Sequence, residues 1–141
     1  MRLAFDADVL IYAAQTNHEY GPVLRGLLEH SNLEGQRYGS CLLLPELLSK
    51  PMRLAWHTEV AALTEILLTL ELIPLDEAVA TLAAQLGAAY ALKAPDAIHL
   101  ASAVAIGADA FITNNTKDFQ PAAILELRVV SPNALESLSI T

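Results

Sequence analysis

At 141 residues the chain is long enough for one domain with a proper core. Apolar residues make up 54% of it and charged residues 17%, which excludes a disordered protein; Thr64, Glu65, Thr69 and Glu71 interrupt its greasiest stretch, so no window reads as a membrane span. The net charge of −8 speaks against a free-standing nucleic-acid binder with a basic face, yet it does not exclude a metal-dependent enzyme acting on nucleic acid, because divalent ions need acidic clusters.

In chain order, residues 2–6 (RLAFD) predict a short buried strand that runs into Asp6, with Asp8 two positions on. Residues 20–30 set Val23, Leu24, Leu27 and Leu28 at helical spacing. A second strand is predicted over 38–44, followed by a short helix over 45–49 that Pro45 starts and Glu46 follows. A long apolar-periodic helix over 54–70, a strand over 71–75 and a helix over 76–91 come next. The helix over 95–106 opens with Pro95 and Asp96, the strand over 109–113 runs into TNNTKDF, and a last strand covers 126–130. Short apolar strands alternating with helices predict an α/β fold in one domain over 1–141, with a mostly parallel central sheet of about five strands flanked by helices. Cys41, the sole cysteine, excludes an internal disulfide and reads as a small buried residue. With no secretory signal pattern at the N-terminus, a cytoplasmic protein is expected. Surplus apolar residues such as Leu54 and Trp56 suit an interface, and so a homodimer, as well as they suit a core.

Ligands of parallel sheets bind at the carboxyl ends of the strands. The polar residues expected there are Asp6 and Asp8, Glu46, and Thr113, Asn114, Asn115 and Asp118, with Asp96 opening a helix. Taken singly, Asp96 is also a first-turn carboxylate that favours the helix dipole, Glu46 a solvated helix-start residue, and Asp118 a turn former. Taken together they converge, and converging carboxylates repel unless a cation compensates. Oxygen donors suit Mg²⁺ or Mn²⁺. Zinc is disfavoured, because His18, His30, His57 and His99 lack ligand spacing and there is no second cysteine. His99 shares a helix face with Asp96, where it either packs or supports a ligand from behind.

Three families group acids in this way. Asp6 and Asp8 with Thr113 resemble the haloacid dehalogenase-type phosphatases, but a lysine and a strand-end acidic pair should follow the threonine, and the 26 residues after Asn115 offer Lys117 and Asp118 too early and then only Glu126 and Glu136. A receiver domain would place its phosphoacceptor at Asp76 and leave Glu46 and Asp96 without a role. The whole chain resembles the PIN-domain ribonucleases, in particular the VapC-type toxins of toxin–antitoxin pairs. The matching segments are Asp6-Ala-Asp8-Val-Leu-Ile, Glu46 in LLLPELLSK, Asp96 in PDAIHLASA, and Thr113 to Phe119 in TNNTKDF. Asp8 and Ala7 depart from the family pattern, which favours a hydroxyl or amide at the first position and a hydroxyl at the second. The fourth acidic position is divided between Asn115 and Asp118.

The resemblance implies a three-layer fold and an endoribonuclease in which Asp6, Glu46, Asp96 and Asp118 are catalytic. With Asp8 they would hold one or two Mg²⁺ or Mn²⁺ ions, while Thr113 and Asn115 orient ligands or water. It also implies RNA as substrate, a small antitoxin as partner, and a homodimer. The alternative reading is a PIN-like binding scaffold without activity.

Overall fold

The computed structural model describes residues 1–140. Five strands form its sheet: β1 (Leu3–Phe5), β2 (Arg37–Ser40), β3 (Glu71–Ile73), β4 (Ala110–Ile112) and β5 (Arg128–Val130). The helices among the described residues are α1 (Ala7–Ala14), α2 (Gly21–Glu29), α3 (Leu43–Arg53), α4 (His57–Leu67), α5 (Glu77–Tyr90) and α6 (Ala94–Ala105), with 3-10 turns at Ser31–Leu33 and Pro132–Ser137. The strand order is β3-β2-β1-β4-β5 and every neighbouring pair is parallel. The expected "mostly parallel" sheet is therefore parallel throughout.

Alternation along the strands divides the core in two. Leu3 and Phe5, Ala110 and Ile112, and Val130 face one side, where they pack with Val9 and Leu10 of α1, Leu24 and Leu28 of α2, Leu43 and Leu47 of α3, and Leu63 and Leu67 of α4. Ala4, Phe111 and Val129 face the other side and meet Val79, Ala83 and Leu86 of α5 and Ala97, Leu100 and Ala101 of α6. The period of two in the strands thus sandwiches the sheet between two helical layers. Gly39 shows how tightly the first layer closes. A Cβ there would stand 2.4 Å from Leu43 Cδ1, so the bare backbone lets α3 settle onto β2.

The structure differs from the sequence reading in four places. The second strand stops at Ser40, and the apolar residues of 41–44 turn away, so that α3 begins at Leu43 and runs well past 49. The helix predicted over 54–70 is α4, which covers only His57–Leu67, because Ala55 (φ 56°) lies in the left-handed region and breaks the chain before Trp56. An unpredicted helix, α1, occupies 7–14. Its sequence ADVLIYAA is apolar nearly all round, which hides the helical period. Cys41 is only half-buried, since it sits in the turn that leaves β2.

Leu54 and Trp56 belong to the surface rather than the core, at 43% and 44% exposure. Trp56 lines a groove of about 740 Å³ with Ile11 and Ala14 of α1 and Leu63 of α4. Among the described residues no helix is long and apolar enough to cross a membrane.

The passage from β4 to β5 carries no α-helix. Residues 113–127 are held down by Phe119, which is fully buried, and by Ile124. The ring of Phe119 meets Phe111 edge-on, with centroids 5.1 Å apart. Phe119 is thus the anchor of the loop that carries Asp118. Phe119→Ala is expected to destabilise the fold by about 3–5 kcal/mol, read from the urea midpoint at constant m-value; a loss under about 1 kcal/mol would contradict this anchoring role.

Candidate active site

The strand order reverses at β1, which pairs with β2 on one side and β4 on the other. Such a switch point opens a crevice at the carboxyl edge of the sheet, and two residues close its floor. Asp6 follows β1, and its backbone N–H donates to the Ile112 carbonyl at 3.0 Å. Its carboxylate accepts from the Ala7 N–H at 2.8 Å, at the start of α1, and from the Thr113 hydroxyl at 2.7 Å. Both side chains are buried. Thr113 thus ties the ends of the two central strands together through Asp6.

The other predicted residues gather around this pair. Asp8, in the first turn of α1, accepts from the Val9 N–H at 2.7 Å and from the Asn114 N–H at 3.1 Å. The Asn114 side-chain amide donates to the Tyr12 hydroxyl at 3.2 Å. Asn115 donates its backbone N–H to Thr113 Oγ1 at 3.0 Å and its side-chain amide to Asp118 at 3.0 Å; the Asp118 N–H returns to Asn115 Oδ1 at 3.3 Å. Of the two candidates for the fourth acidic corner, Asn115 is thus occupied in orienting Asp118. Glu46, in the first turn of α3, binds His99 Nε2 from α6. Asp96, in the first turn of α6, has no hydrogen-bond partner for its carboxylate among the described residues.

These acids feel one another. Burial and the neighbouring Asp6 and Asp96 push the Asp8 carboxyl up to about 6. Asp96 is also raised from the ordinary carboxylate range, first by burial, then by the charges of Asp6, Asp118 and Glu46, while His99 opposes the rise. The amino ends of α1 and α6 both point into the cluster and offset part of the repulsion. Glu46 contacts His99, and among the described residues no lysine or arginine lies within ion-pair distance of these carboxylates.

An all-oxygen donor set with uncompensated charge fits a hard divalent cation. Among the described residues no three of the side chains form a ready-made coordination group. Asp6 and Asp8 engage both carboxylate oxygens on neighbours, Glu46 and Asp118 engage one each, and Asp96 engages none among the described residues.

Sequence reasoning named Asn114 and His99 but assigned neither of them its partner. The backbone of Asn114 reaches Asp8, a contact that no side-chain pattern encodes. His99 contacts a residue 53 positions away, and its spacing of three from Asp96 was the one available signal.

A family model described as the PIN domain matches residues 3–125. The chain belongs to that family. PIN domains are generally nucleases, and membership sets aside the phosphatase and receiver readings. Among solved structures this PIN domain is similar to VapBC from Salmonella typhimurium bound to DNA, with TM-score 0.74, 20% identity, and coverage of 94% of this chain and 98% of that one. It is also similar to VapBC2 from Rickettsia felis bound to a DNA fragment from their promoter (0.72, 19%, 93% and 98%) and to a toxin–antitoxin complex from Klebsiella pneumoniae (0.69, 28%, 94% and 98%). Among curated proteins there is no match.

The raised Asp8 carboxyl makes stability depend on pH. Between about pH 4 and about pH 6 the folded PIN domain holds a proton on Asp8 that the unfolded chain has released, so stability falls as pH rises through that window. Asp8→Asn is therefore expected to be more stable than the parent at about pH 7 by about 1–2 kcal/mol, allowing for solvent at the exposed edge of the group. The gain should vanish near pH 4. Urea denaturation in chelator at both pH values checks this, and an equal gain at both would refute it.

Proposed function

We propose that this PIN domain is a metal-dependent endoribonuclease of the VapC type, the toxin of a toxin–antitoxin pair. The observation that carries the reading is Asp96. Its carboxylate is partly buried and unpartnered, it faces the charges of Asp6, Asp118 and Glu46, and it lies at the switch point of a parallel sheet. A nearby cation or a proton stabilises such a group.

Asp6, Glu46, Asp96 and Asp118 would hold one or two Mg²⁺ or Mn²⁺ ions, with Asp8 as a further carboxylate. A bound ion would supply a water of lowered pKa and charge to balance the scissile phosphate. The protein's own share is positioning. Thr113 fixes the rotamer of Asp6, and Asn115 fixes that of Asp118. Glu46 or Asp96 would accept the proton of the attacking water. The cation also explains how a chain with net charge −8 approaches a polyanion: the ion, not a basic face, meets the phosphate. Solved neighbours that are toxin–antitoxin assemblies support an antitoxin as the partner.

Asp96→Asn is expected to abolish Mn²⁺-dependent cleavage of single-stranded RNA, with a metal-free melting temperature equal to or above the parent's because repulsion is relieved. A variant that still cuts would sink the assignment. Mn²⁺ should also raise the parent's melting temperature by mass action, by about 2.7 kcal/mol of stability at a hundredfold excess over Kd, and chelator should remove the gain. A PIN-like scaffold without activity predicts no Mn²⁺ shift.

A further inference from the structure

His99 is 3% exposed and lies among the buried residues of α6, which are otherwise Ala97, Leu100, Ala101, Ser102 and Ala103. An apolar side chain would suit this place. The imidazole instead sends Nε2 to Glu46, while Nδ1 has no partner among the described residues. An ionised carboxylate only accepts, so Nε2 donates, and Nδ1, with or without a proton, is a buried polar atom that has no partner. The small void lined by His99, Tyr38, Gly39, Ser40 and Ser102 has no room for a water molecule. None of its three hydroxyls bonds Nδ1: Ser102 donates to the Ile98 carbonyl at 2.8 Å, Tyr38 donates to the Gly35 carbonyl at 3.2 Å, and Ser40 accepts from the Leu42 N–H at 3.1 Å. A buried polar atom without a partner is unfavourable, and leucine would avoid it. Packing therefore does not account for the histidine, whereas its effect on Glu46 does.

Glu46 needs such help. It lies on the outer face of the first turn of α3, and its long side chain has no other hydrogen-bond partner among the described residues. Asp6 and Asp118, by contrast, are fixed by Thr113 and Asn115 from nearby backbone. We infer that His99 is a positioning residue: through its Nε2–H it holds Oε1 of Glu46, so that the carboxylate stays turned toward Asp96 and the cation site. This rests on the nuclease reading above. Ligand-orienting partners of this kind typically contribute tenfold or more to metal affinity.

The test is Mn²⁺ binding by calorimetry on the whole chain, with cleavage of single-stranded RNA followed across Mn²⁺ concentrations. His99→Leu is expected to keep or raise the metal-free melting temperature and to weaken Mn²⁺ binding about tenfold, with cleavage recovered at high Mn²⁺. His99→Gln, whose amide can donate from nearly the same point, should regain most of the affinity. In a Glu46→Gln background the loss from His99→Leu should disappear, because the group it positions has gone. Parental Mn²⁺ affinity in His99→Leu, or an undiminished loss in the double variant, would overturn the inference while leaving the nuclease reading intact. A parent that binds no Mn²⁺ overturns both. Should His99→Leu fail to fold, His99→Asn, whose amide falls short of Glu46, takes its place with the same expectation.

Discussion

Like charges are brought together at one edge of this sheet, and most of what is distinctive about the structure serves to hold them there. Asp6, Asp8, Glu46, Asp96 and Asp118 come from four separate segments of chain, and burial and mutual repulsion raise the carboxyls of Asp8 and Asp96. A parallel sheet supplies the means. All strands end at the same edge, the following helices begin there, and their amino ends offer the only fixed positive potential that the backbone provides. The reversal of strand order at β1 adds the crevice.

Within that frame each acid is held by a different device. Asp6 is fixed from two directions, by the first turn of α1 and by a hydroxyl at the end of β4. Asp118 stands on a loop without an α-helix, yet Phe119 beside it is sunk in the core, so the loop has a fixed root. Glu46 reaches the site from the outer face of α3 and depends on a side chain from the opposite layer. Precision at this edge therefore comes from tertiary contacts more than from the strands, which are only three or four residues long.

The sequence announced the strands and the acids after them for a simple reason. Buried parallel strands are continuous apolar runs, and a carboxylate directly after such a run is conspicuous, as in LAFD or AFIT followed by NNTKD. It was less informative where local pattern and tertiary role part company. ADVLIYAA makes a helix although its periodicity is faint, because Asp6 caps it and both core and crevice surround it. CLLL reads as strand but begins α3, since Gly39 lets Leu43 fold back onto β2. The bonds of His99 to Glu46 and of Asn114 to Asp8 span 53 and 106 residues, and no spacing rule reports contacts of that range.

The Glu46–His99 contact also has a mechanical side. Glu46 belongs to α3, which packs in the first core, and His99 to α6, which packs in the second, so the bond crosses the rim of the sheet and clasps the two helical layers. Any sliding of one layer over the other would open the clasp and carry one carboxylate away from the rest. Linkage makes this reciprocal: whatever steadies the relative position of α3 and α6 tightens the acidic edge, and whatever fills that edge stiffens the seam between the layers.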